Sequence, residues 1–366
     1  MSEEKELAIL RDQIDSLDQQ IHTLINDRAK CAQKVAHVKE KYAGGEKIQF
    51  YRPEREAQVL RKVMGRNLGP IADEDMARLF REIMSVCLAL EEPLKVAYLG
   101  PKGTFTQAAA VKHFGHSAEC VGQVSIADVF REVEAGSFNY GVVPVENSTE
   151  GVVTHTLDSF VGSNLKINGE VALRIHHHFL SNSLGASDKT KITKVYSHPQ
   201  SLAQCRQWLD TNWPSIERIP VSSNAEAARL AAQETGAAAI AGDAAAELYA
   251  VNILASNIED MPDNTTRFLI IGKKQTESSG DDKTSIMVSS RNEPGALYHV
   301  LEPFHKADVS LTRIETRPSR TGTWNYNFYI DFEGHVKSEK IESVLKDVEN
   351  AVSDLKILGS YPKAVL

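Results

Sequence analysis

The sequence predicts a multidomain chain with an all-α part over residues 1–92, an α/β part over 94–272 and an α+β part over 284–366. The first part carries apolar residues at alternating steps of three and four, which is typical of packed helices. The second alternates short apolar runs with helical patterns, which predicts an α/β fold with mainly parallel strands. The third predicts the order β-α-β-β-α-β of a ferredoxin-like module. A polar stretch with glycine and serine, residues 273–285, is expected to be a linker.

A heptad-like seam in the first part predicts one long helix. The seam residues are Leu7, Leu10, Ile14, Leu17, Ile21, Leu24, Arg28, Cys31, Val35 and Val38. Gly44 and Gly45 are expected to end this helix. A second helix follows from YRPEREAQVLRKVM and stops near Gly65, and a third is expected from about Ile71 to Glu91.

A cation occupies the helical seam at Arg28, where the repeat calls for an aliphatic side chain. A buried guanidinium is costly unless it is paired. Lys39 lies within about 20° of the same helix face and about 16 Å further along the axis. Arg52, Arg55 and Glu56 open the second helix. A solvated helix end or an internal ion pair would explain Arg28 alone, but several cations together indicate a small polyanionic ligand.

Arg11 points about 100° away from Arg28 and lies about 25 Å from it along a straight helix. The two side chains therefore cannot reach the same small ligand within one chain. If Arg11 serves such a site, the site belongs to a second chain, and we expect an intertwined dimer.

Small polar residues stand at four expected loop-to-helix junctions of the α/β part. These residues are Thr104, Asn147, Ser197 and Ser223. Helix N-termini offer free N–H groups and a positive dipole end, which suits carboxylates, and they line the crevice at the carboxyl ends of the strands. The pattern predicts a two-lobed metabolite site, in which Glu146, His198 or Thr266 would supply proton chemistry.

The composition narrows the classes of partner. The chain has 366 residues and a formal net charge of -8, without a long run of lysine or arginine, so nucleic acid is not an expected partner. No apolar run approaches the roughly 18 residues that would span a membrane. The acidic N-terminus is unlike a signal peptide, so we expect a cytoplasmic protein.

Cysteine and histidine spacing predicts neither a metal site nor a disulfide framework. The four cysteines are scattered, which suits a reducing compartment. His176, His177 and His178 lie in a strand-like run, where neighbouring side chains point to opposite faces.

The pattern LRDQIDSLDQQIHTLINDR…VKEK…YRPERE resembles the all-helical chorismate mutase family over most of residues 1–92. The resemblance implies that Arg28, Lys39 and a partner's Arg11 hold the carboxylates and ether oxygen of chorismate. Arg55 would join them, and Glu56 would bind the hydroxyl group. The implied reaction is a unimolecular pericyclic rearrangement, which needs no nucleophile and no cofactor. Conformational selection and charge stabilisation at the breaking ether bond would supply the catalysis.

Three residues depart from the usual bacterial mutase pattern. Arg52 stands where an aspartate is frequent, Cys87 where a serine is frequent, and Glu91 where a glutamine donates to the ether oxygen. A carboxylate cannot donate unless it is protonated. We therefore expect mutase activity to decline as pH rises through a raised Glu91 pKa.

The motifs GPKGTFT, PVENSTEG, YSHPQSLAQC and NTTRFLIIG resemble, in order, the prephenate dehydratase family across residues 94–272. The resemblance implies a two-lobed fold like that of periplasmic binding proteins. The implied reaction removes the ring hydroxyl and carbon dioxide from prephenate to give phenylpyruvate. Thr266 would donate to the departing hydroxyl, Arg267 would add positive charge, and Phe268 would pack under the ring. The other residues implied for the cleft are Thr104, Glu146, Asn147, Ser197, Gln204 and Ser223.

The motifs NEPGALYHVL and IETRPSRTGTW resemble the phenylalanine-responsive type of ACT domain. Such domains usually pair and hold the amino acid at their interface, so the resemblance implies feedback inhibition by phenylalanine. Gly295 would let the backbone approach the ligand closely. The implied neighbours of the ligand are Asn292, Ala296, Leu297, Glu315 and Arg317.

The three resemblances together predict a bifunctional enzyme that assembles as a homodimer or a higher oligomer. Two alternatives stay open. One is a non-catalytic sensor built from a helical dimerisation domain, a two-lobed binding domain and an ACT module. The other is a dehydratase whose mutase domain has decayed to a dimerising unit.

Overall fold

The structure is a computed structural model that describes residues 2–44, 50–182, 192–290, 293–318 and 326–365. The N-terminal helices are α1 (Glu3–Tyr42), α2 (Pro53–Gly65) and α3 (Asp73–Ala89). Helix α1 has acidic residues in its first turn and Lys39 and Lys41 in its last turn, which complements the helix dipole. Proline at the first position of α2 fixes the backbone angle that a helix start needs. The predicted all-α part is confirmed.

The apolar seam of α1 lies on the surface of the single chain. Every large aliphatic residue of the seam from Leu7 to Val38 is between 42% and 68% exposed. Leu79 and Val86 of α3, and Leu90 directly after it, are also 51% to 53% exposed. The seam predicted a long helix correctly, but its apolar face has no cover within one copy of the described chain.

Two sheets with flanking helices form the α/β part. In chain order the elements are β1 (Lys95–Leu99), α4 (Phe105–Phe114), β2 (Glu119–Gln123), α5 (Ile126–Ala135), β3 (Tyr140–Asn147), β4 (Gly151–Val152), α6 (Thr154–Gly162), β5 (Lys166–Arg174), β6 (His178–Leu180), β7 (Lys194–Ser197), α7 (Pro199–Gln204), α8 (Arg206–Asn212), β8 (Glu217–Pro220), α9 (Asn224–Gln233), β9 (Ala237–Ala241), α10 (Asp243–Leu248), β10 (Ile253–Ala255) and β11 (Thr265–Gly272). The first lobe has strand order β2-β1-β3-β11-β5, with β4 beside β3, and the second has β10-β6-β9-β7-β8.

The prediction of mainly parallel strands is wrong for the α/β part. Strands β1, β2 and β3 are parallel, but β11 runs antiparallel to both β3 and β5. The second lobe is also mixed, because β6 is antiparallel to β9 and β10. The cause is the return of the chain from the second lobe, which places β11 back in the first sheet, between β3 and β5. Strand β11 thereby carries Thr266 to the boundary between the lobes.

The C-terminal part has the predicted ferredoxin-like order. Its elements are β12 (Asp282–Ser290), α11 (Ala296–Lys306), β13 (Leu311–Pro318), β14 (Tyr326–Glu333), α12 (Glu339–Ala351) and β15 (Asp354–Pro362). The strands form an antiparallel sheet in the order β13-β14-β12-β15. One face of this sheet packs on α11 and α12, and the other face packs on the first lobe.

The C-terminal sheet and the first lobe share one hydrophobic core. The shared core includes Ile167, Leu269, Ile271, Met287, Tyr329, Leu358 and Tyr361. The stretch expected to be a linker is bonded to its surroundings: Thr276, Ser279 and Asp282 are buried, and Arg61 of α2 donates to Ser279 Oγ at 3.0 Å. The connection is therefore a packed junction of three parts of the chain.

Candidate functional sites

Thr266 lies at the end of the first sheet, beside Asn147 on the neighbouring strand. Strand register pairs the two residues directly, and Asn147 Nδ2 donates to Thr266 Oγ1 at 2.8 Å. The same amide nitrogen donates to Asn264 Oδ1 at 3.0 Å. Asn147 Oδ1 accepts from Thr149 Oγ1 at 2.6 Å, so each amide atom of Asn147 has a partner. The geometry fixes the position of the Thr266 hydroxyl oxygen.

Gln204, at the end of α7 in the second lobe, reaches this group from the opposite side. Its Nε2 donates to Thr149 Oγ1 at 2.8 Å, and its Oε1 accepts from Asn264 Nδ2 at 3.1 Å. We call Asn147, Thr149, Gln204, Asn264 and Thr266 the junction cluster. The structure thus brings together three residues predicted for the cleft, Asn147, Gln204 and Thr266.

Three residues that are bonded to Asn147 or Gln204 were not predicted from the sequence: Thr149, Asn264 and His177. Asn264 could have been predicted from the sequence, because it directly precedes the TTRF motif. His177 contacts Gln204 Oε1 through Nε2 at 3.0 Å. A hydrogen bond to a residue 27 positions away leaves no local pattern in the sequence, so the histidine run by itself does not reveal this contact. Among the described residues, no group of three or more His, Cys, Asp or Glu side chains is placed to hold a metal ion.

The expected helix starts are only partly as predicted. Thr104 and Ser223 cap α4 and α9, accepting from Gln107 N and Glu226 N. Asn147 instead closes a turn that leads into β4, so no helix begins there. His198, and not Ser197, caps α7. Asparagine is favoured both in turns and at helix N-caps, so the local sequence around Asn147 does not distinguish a turn from a helix start.

Ser197 belongs to a second polar group in the second lobe. Its hydroxyl donates to Ile240 O at 2.8 Å, and Asn224 Oδ1 lies 3.0 Å from the same hydroxyl oxygen. Asn224 in turn donates to Ser201 Oγ at 2.9 Å. Ser197 is fully buried, so its described bonds hold β7, β9 and α9 together.

Arg267 and Glu146 lie on the sheet face opposite to Thr266 and Asn147. Successive strand residues point to opposite faces, so the step from Thr266 to Arg267 reverses the direction of the side chain. Arg267 Nε donates to Glu170 Oε2 at 2.8 Å, and Nη1 donates to Asp331 Oδ2 at 2.7 Å. The positive charge expected in the cleft is therefore directed at the C-terminal sheet.

Further charges complete this group on the C-terminal face. Arg313 Nε lies 3.3 Å from Glu146 Oε2, although the side chain of Arg313 is 9% exposed. Arg267 Nη1 is 3.9 Å from the same Glu146 oxygen. We call Glu146, Glu170, Arg267, Arg313 and Asp331 the interface ion cluster. Three of its members belong to the α/β part and two to the C-terminal part.

Phe268 is a core residue. It is 2% exposed and packs with Phe114, Tyr140 and Ile270 between the first sheet and α4. The expected role under the substrate ring does not agree with this position, because a side chain enclosed by core neighbours leaves no surface for a ligand. Its aromatic size is explained by the packing of α4 on β11.

Glu91, Arg28 and Lys39 form the charged group expected in the helical part. Burial raises the pKa of the Glu91 carboxyl, and the positive charges of Lys39 and Arg28 oppose this rise. Lys39 Nζ also lies 3.5 Å from Phe50 O. Cys87 is buried in the last turn of α3, four residues before Glu91. Arg11 lies near the opposite end of α1, and both Arg11 and Arg55 are exposed in the single chain.

Glu56 and Arg52 are engaged by other residues. Glu56 Oε1 accepts from Arg81 Nε at 3.2 Å, and Arg81 Nη1 donates to Lys112 O of α4 at 2.9 Å. Burial raises the pKa of Glu56, while Arg81 opposes the rise. Arg52 Nε donates to Glu54 at 2.7 Å. The Glu56 carboxylate thus lies at the contact between the helical part and the first lobe.

The C-terminal motifs lie on two surfaces. Gly295 has a φ of 84° and starts α11, which explains the glycine, and Ala296 and Leu297 follow at the surface. Arg317 Nη2 donates to Asp158 Oδ2 of α6 at 3.1 Å, and Glu315 lies on the same strand face as Arg317. Asn292 lies outside the described residues.

The part of the chain that the structure describes contains no helix with the length and apolar character of a membrane span.

Known families match all three parts. Residues 10–92 match the family described as Chorismate mutase type II, residues 96–276 match Prephenate dehydratase, and residues 284–350 match ACT domain.

Relatives align over the whole chain. A bifunctional chorismate mutase/prephenate dehydratase from Pseudomonas aeruginosa is 59% identical over 368 residues, covering 100% of both chains. The protein of the same name from Neisseria gonorrhoeae is 49% identical, covering 97% of each chain. A crystal structure of prephenate dehydratase in complex with L-Phe, from Arthrobacter aurescens, has a TM-score of 0.67 and 33% identity, and covers 74% of this chain and 90% of that one. The chain belongs to the family of bifunctional chorismate mutase/prephenate dehydratases.

Proposed function

We propose that the chain rearranges chorismate to prephenate in its helical part and converts prephenate to phenylpyruvate between the two lobes. The junction cluster carries this proposal, because it presents a positioned hydroxyl, Thr266 Oγ1, at the boundary of the lobes. The names of the relatives that align over the whole chain support the pairing of the two reactions. Both substrates are small dicarboxylates, which suits the cations and helix N-termini of the two parts.

In the dehydration step, Thr266 would donate to the departing ring hydroxyl. Asn147 Nδ2 already donates to Thr266 Oγ1, so the proton of Thr266 is left to point towards the substrate. A threonine hydroxyl is a weak acid, and its contribution is therefore positioning within a hydrogen-bonded relay. Loss of the hydroxyl and carbon dioxide makes the ring aromatic, which supplies much of the driving force. Gln204 would help by fixing the second lobe against the first.

In the rearrangement step, Arg28 and Lys39 would hold the substrate carboxylates and the ether oxygen. A protonated Glu91 would donate to that oxygen as negative charge develops on it. The raised pKa of Glu91 favours the protonated form that this role needs. Cys87 is buried four residues before Glu91. In one copy of the chain Arg52 pairs with Glu54 and Glu56 pairs with Arg81, and Arg55 is exposed.

A second copy of the chain would complete the helical site. The exposed stripes on α1 and α3 are large apolar surfaces, which in a stable protein are covered by a partner. An antiparallel α1 from a second copy would cover them and could bring its Arg11 towards Arg28. We therefore propose an intertwined homodimer. Strand β13 is at the edge of the C-terminal sheet among the described strands, which allows a further pairing of C-terminal sheets.

Phenylalanine would bind at the paired C-terminal domains and inhibit the dehydratase. The related structure with L-Phe supports this effector. Gly295, with its left-handed backbone, together with Ala296, Leu297, Glu315 and Arg317, would form the binding region. Within one copy of the chain Arg317 donates a hydrogen bond to Asp158, so it would also connect the C-terminal domain to α6.

The enzyme would work in the cytoplasm. Cys31, Cys87, Cys120 and Cys205 are all free thiols, which agrees with a reducing compartment.

The test is an assay of the purified chain with chorismate and no added cofactor, in which prephenate and phenylpyruvate are followed separately. We expect both to appear in that order. Prephenate conversion without chorismate conversion would support the dehydratase with a decayed mutase domain. Conversion of neither substrate, with tight binding of phenylalanine, would support a sensor.

A further inference from the structure

A continuous line of hydrogen bonds joins His177 to Thr266 across the boundary between the lobes. His177 Nε2 is 3.0 Å from Gln204 Oε1, and Asn264 Nδ2 donates to the same oxygen at 3.1 Å. Asn147 Nδ2 then bridges Asn264 Oδ1 at 3.0 Å and Thr266 Oγ1 at 2.8 Å. His177 is 1% exposed, so its ring is enclosed at the far end of this line.

Donors and acceptors fix the protonation of the His177 ring. The Oε1 atom of Gln204 only accepts, so His177 Nε2 must carry the proton. The orientation of the Gln204 amide is supported independently, because its Nε2 donates to Thr149 Oγ1 at 2.8 Å. His177 Nδ1 is buried and has no hydrogen-bond partner among the described residues. Burial lowers the pKa of His177, in agreement with a neutral ring that donates only from Nε2.

The backbone around His177 crosses from one lobe to the other. His177 lies between β5 of the first lobe and β6 of the second. Its N–H donates to Glu259 Oε2 at 2.9 Å, and its carbonyl accepts from Ile258 N at 2.8 Å. The ring also packs edge-on against Phe105, with centroids 5.6 Å apart. These contacts fix the backbone and the ring of His177 independently of Gln204.

We propose that His177 is a positioning residue of the dehydratase, which orients Thr266 through Gln204, Asn264 and Asn147. Without the His177 donor, Gln204 would keep its bonds to Thr149 and Asn264, but rotation about its two bonds beyond Cβ would be less restricted. Asn264 donates to the same Gln204 oxygen, and Asn147 donates to Asn264, so both amides would be less firmly aligned. The Thr266 hydroxyl would then lose its fixed direction. The inference rests on the proposed dehydratase function.

Two amide variants at the same position separate the hydrogen bond from the shape of the residue. In His177→Gln the amide nitrogen lies near the position of Nε2 and can still donate to Gln204. In His177→Asn the amide lies near Nδ1 and is too short to reach. We expect H177N to lower kcat for prephenate by about tenfold or more, with KM changed less than about threefold, and H177Q to stay within about threefold of wild type.

Two controls accompany the pair. The mutase activity of each variant shows whether the rest of the chain is folded. If H177N has no mutase activity, His177→Met is used in its place. His176→Asn is the matched control, since His176 Nδ1 contacts Glu259 Oε1 at 2.8 Å and lies outside the line to Thr266. We expect H176N to keep its dehydratase kcat within about twofold.

A double variant tests whether His177 acts through Gln204. H177N combined with Gln204→Met should be no slower than Gln204→Met alone. Equal rates for H177N and H177Q, whether both high or both low, would overturn the proposal, as would additive losses in the double variant. If wild-type protein makes no phenylpyruvate from prephenate, the proposed function itself fails, which is a distinct result.

Discussion

Arg267 of the first lobe donates a hydrogen bond from Nη1 to Asp331 of the C-terminal sheet, at 2.7 Å. The neighbouring residue in the chain is Thr266, whose hydroxyl lies in the junction cluster. The two side chains leave β11 in opposite directions, so one short stretch of strand faces both the proposed active site and the proposed regulatory domain. Tyr361, Asp331 and Glu170 together raise the pKa of Arg267 against the opposing effect of burial, which keeps its charge fixed.

Replacement of Asp331 by asparagine should weaken inhibition by phenylalanine. The substitution removes a charged acceptor from Arg267 and leaves Glu170 as its close counter-charge. Movement of the C-terminal sheet would then be transmitted less firmly to β11. We expect the half-inhibiting concentration of phenylalanine to rise by about fivefold or more, as measured by dehydratase assays over a phenylalanine series.

Glu342→Gln is the matched control for this experiment. Glu342 is an exposed carboxylate on α12 that pairs with Lys346 at 2.8 Å, and such surface pairs contribute little. Its phenylalanine response should equal that of wild type. An unchanged response in D331N would show that inhibition does not travel through the Arg267 pair.

Replacement of Thr266 by alanine should abolish dehydration and leave the rearrangement intact. The hydroxyl that would donate to the leaving group is lost, so we expect a fall in kcat for prephenate of about a hundredfold or more. Thr265→Ala is the matched control, because Thr265 Oγ1 donates to Asp263 O at 3.3 Å and lies on the other strand face. Phenylpyruvate formation at near the wild-type rate in T266A would refute the role of Thr266.

Mutase activity should depend on the protonation of Glu91. Burial raises the Glu91 pKa, and only the protonated carboxyl can donate to the ether oxygen. Activity is therefore expected to be highest below that pKa and to fall by about tenfold per pH unit above it. Glu91→Gln keeps a donor at every pH and should flatten the profile.

Glu92→Gln serves as the comparison for the pH profile, since it removes the adjacent carboxyl only. Its kcat/KM profile for chorismate should follow that of wild type. A sloping profile that persists unchanged in E91Q would assign the titration to another group.

Local patterns predicted the elements but not the directions of several important side chains. The apolar run from Phe268 to Ile271 is enough to predict the strand β11, because a short run of apolar residues indicates a buried strand. Strand alternation places Thr266 and Arg267 on opposite faces, but the partner that Arg267 meets there, Asp331, is 64 positions away. The bulge between Arg267 and Phe268 further changes the alternation along β3 and β11. Such contacts between distant parts leave no spacing that a single sequence reveals.

Composition alone also failed to predict the structure of residues 273–285, which were expected to be a linker. Polar residues with glycine predicted a pliable tether, yet Asp282 accepts from Ser279 N, and Asn168 donates to Thr276 Oγ1 at 2.9 Å. Removal of residues 284–366 would expose the shared core and leave Arg267 without Asp331. Loss of regulation is therefore better tested by single substitutions than by deletion.

Replacement of Arg81 by methionine should destabilise the contact between the helical part and the first lobe. Glu56 would then be a buried carboxylate without its partner, which costs about 3 kcal/mol when one member of a buried pair is removed. The folded-state pKa of Glu56 is already raised, and loss of Arg81 would raise it further. A carboxyl whose pKa is higher in the folded state than in the unfolded chain binds more protons when folded.

The stability of R81M should therefore fall as pH rises from about 4, the unfolded value, through the folded pKa of Glu56. Urea midpoints at pH 5 and pH 8, followed by tryptophan fluorescence and by mutase activity, measure the effect. Glu56→Gln in the R81M background removes the unpaired charge, so the double variant should recover most of the loss at pH 8 and show little dependence on pH. Equal midpoints for wild type and R81M at pH 8 would mean that water reaches Glu56, and the contact would then owe its stability to the aromatic packing of Tyr51 against Phe114 and Tyr140.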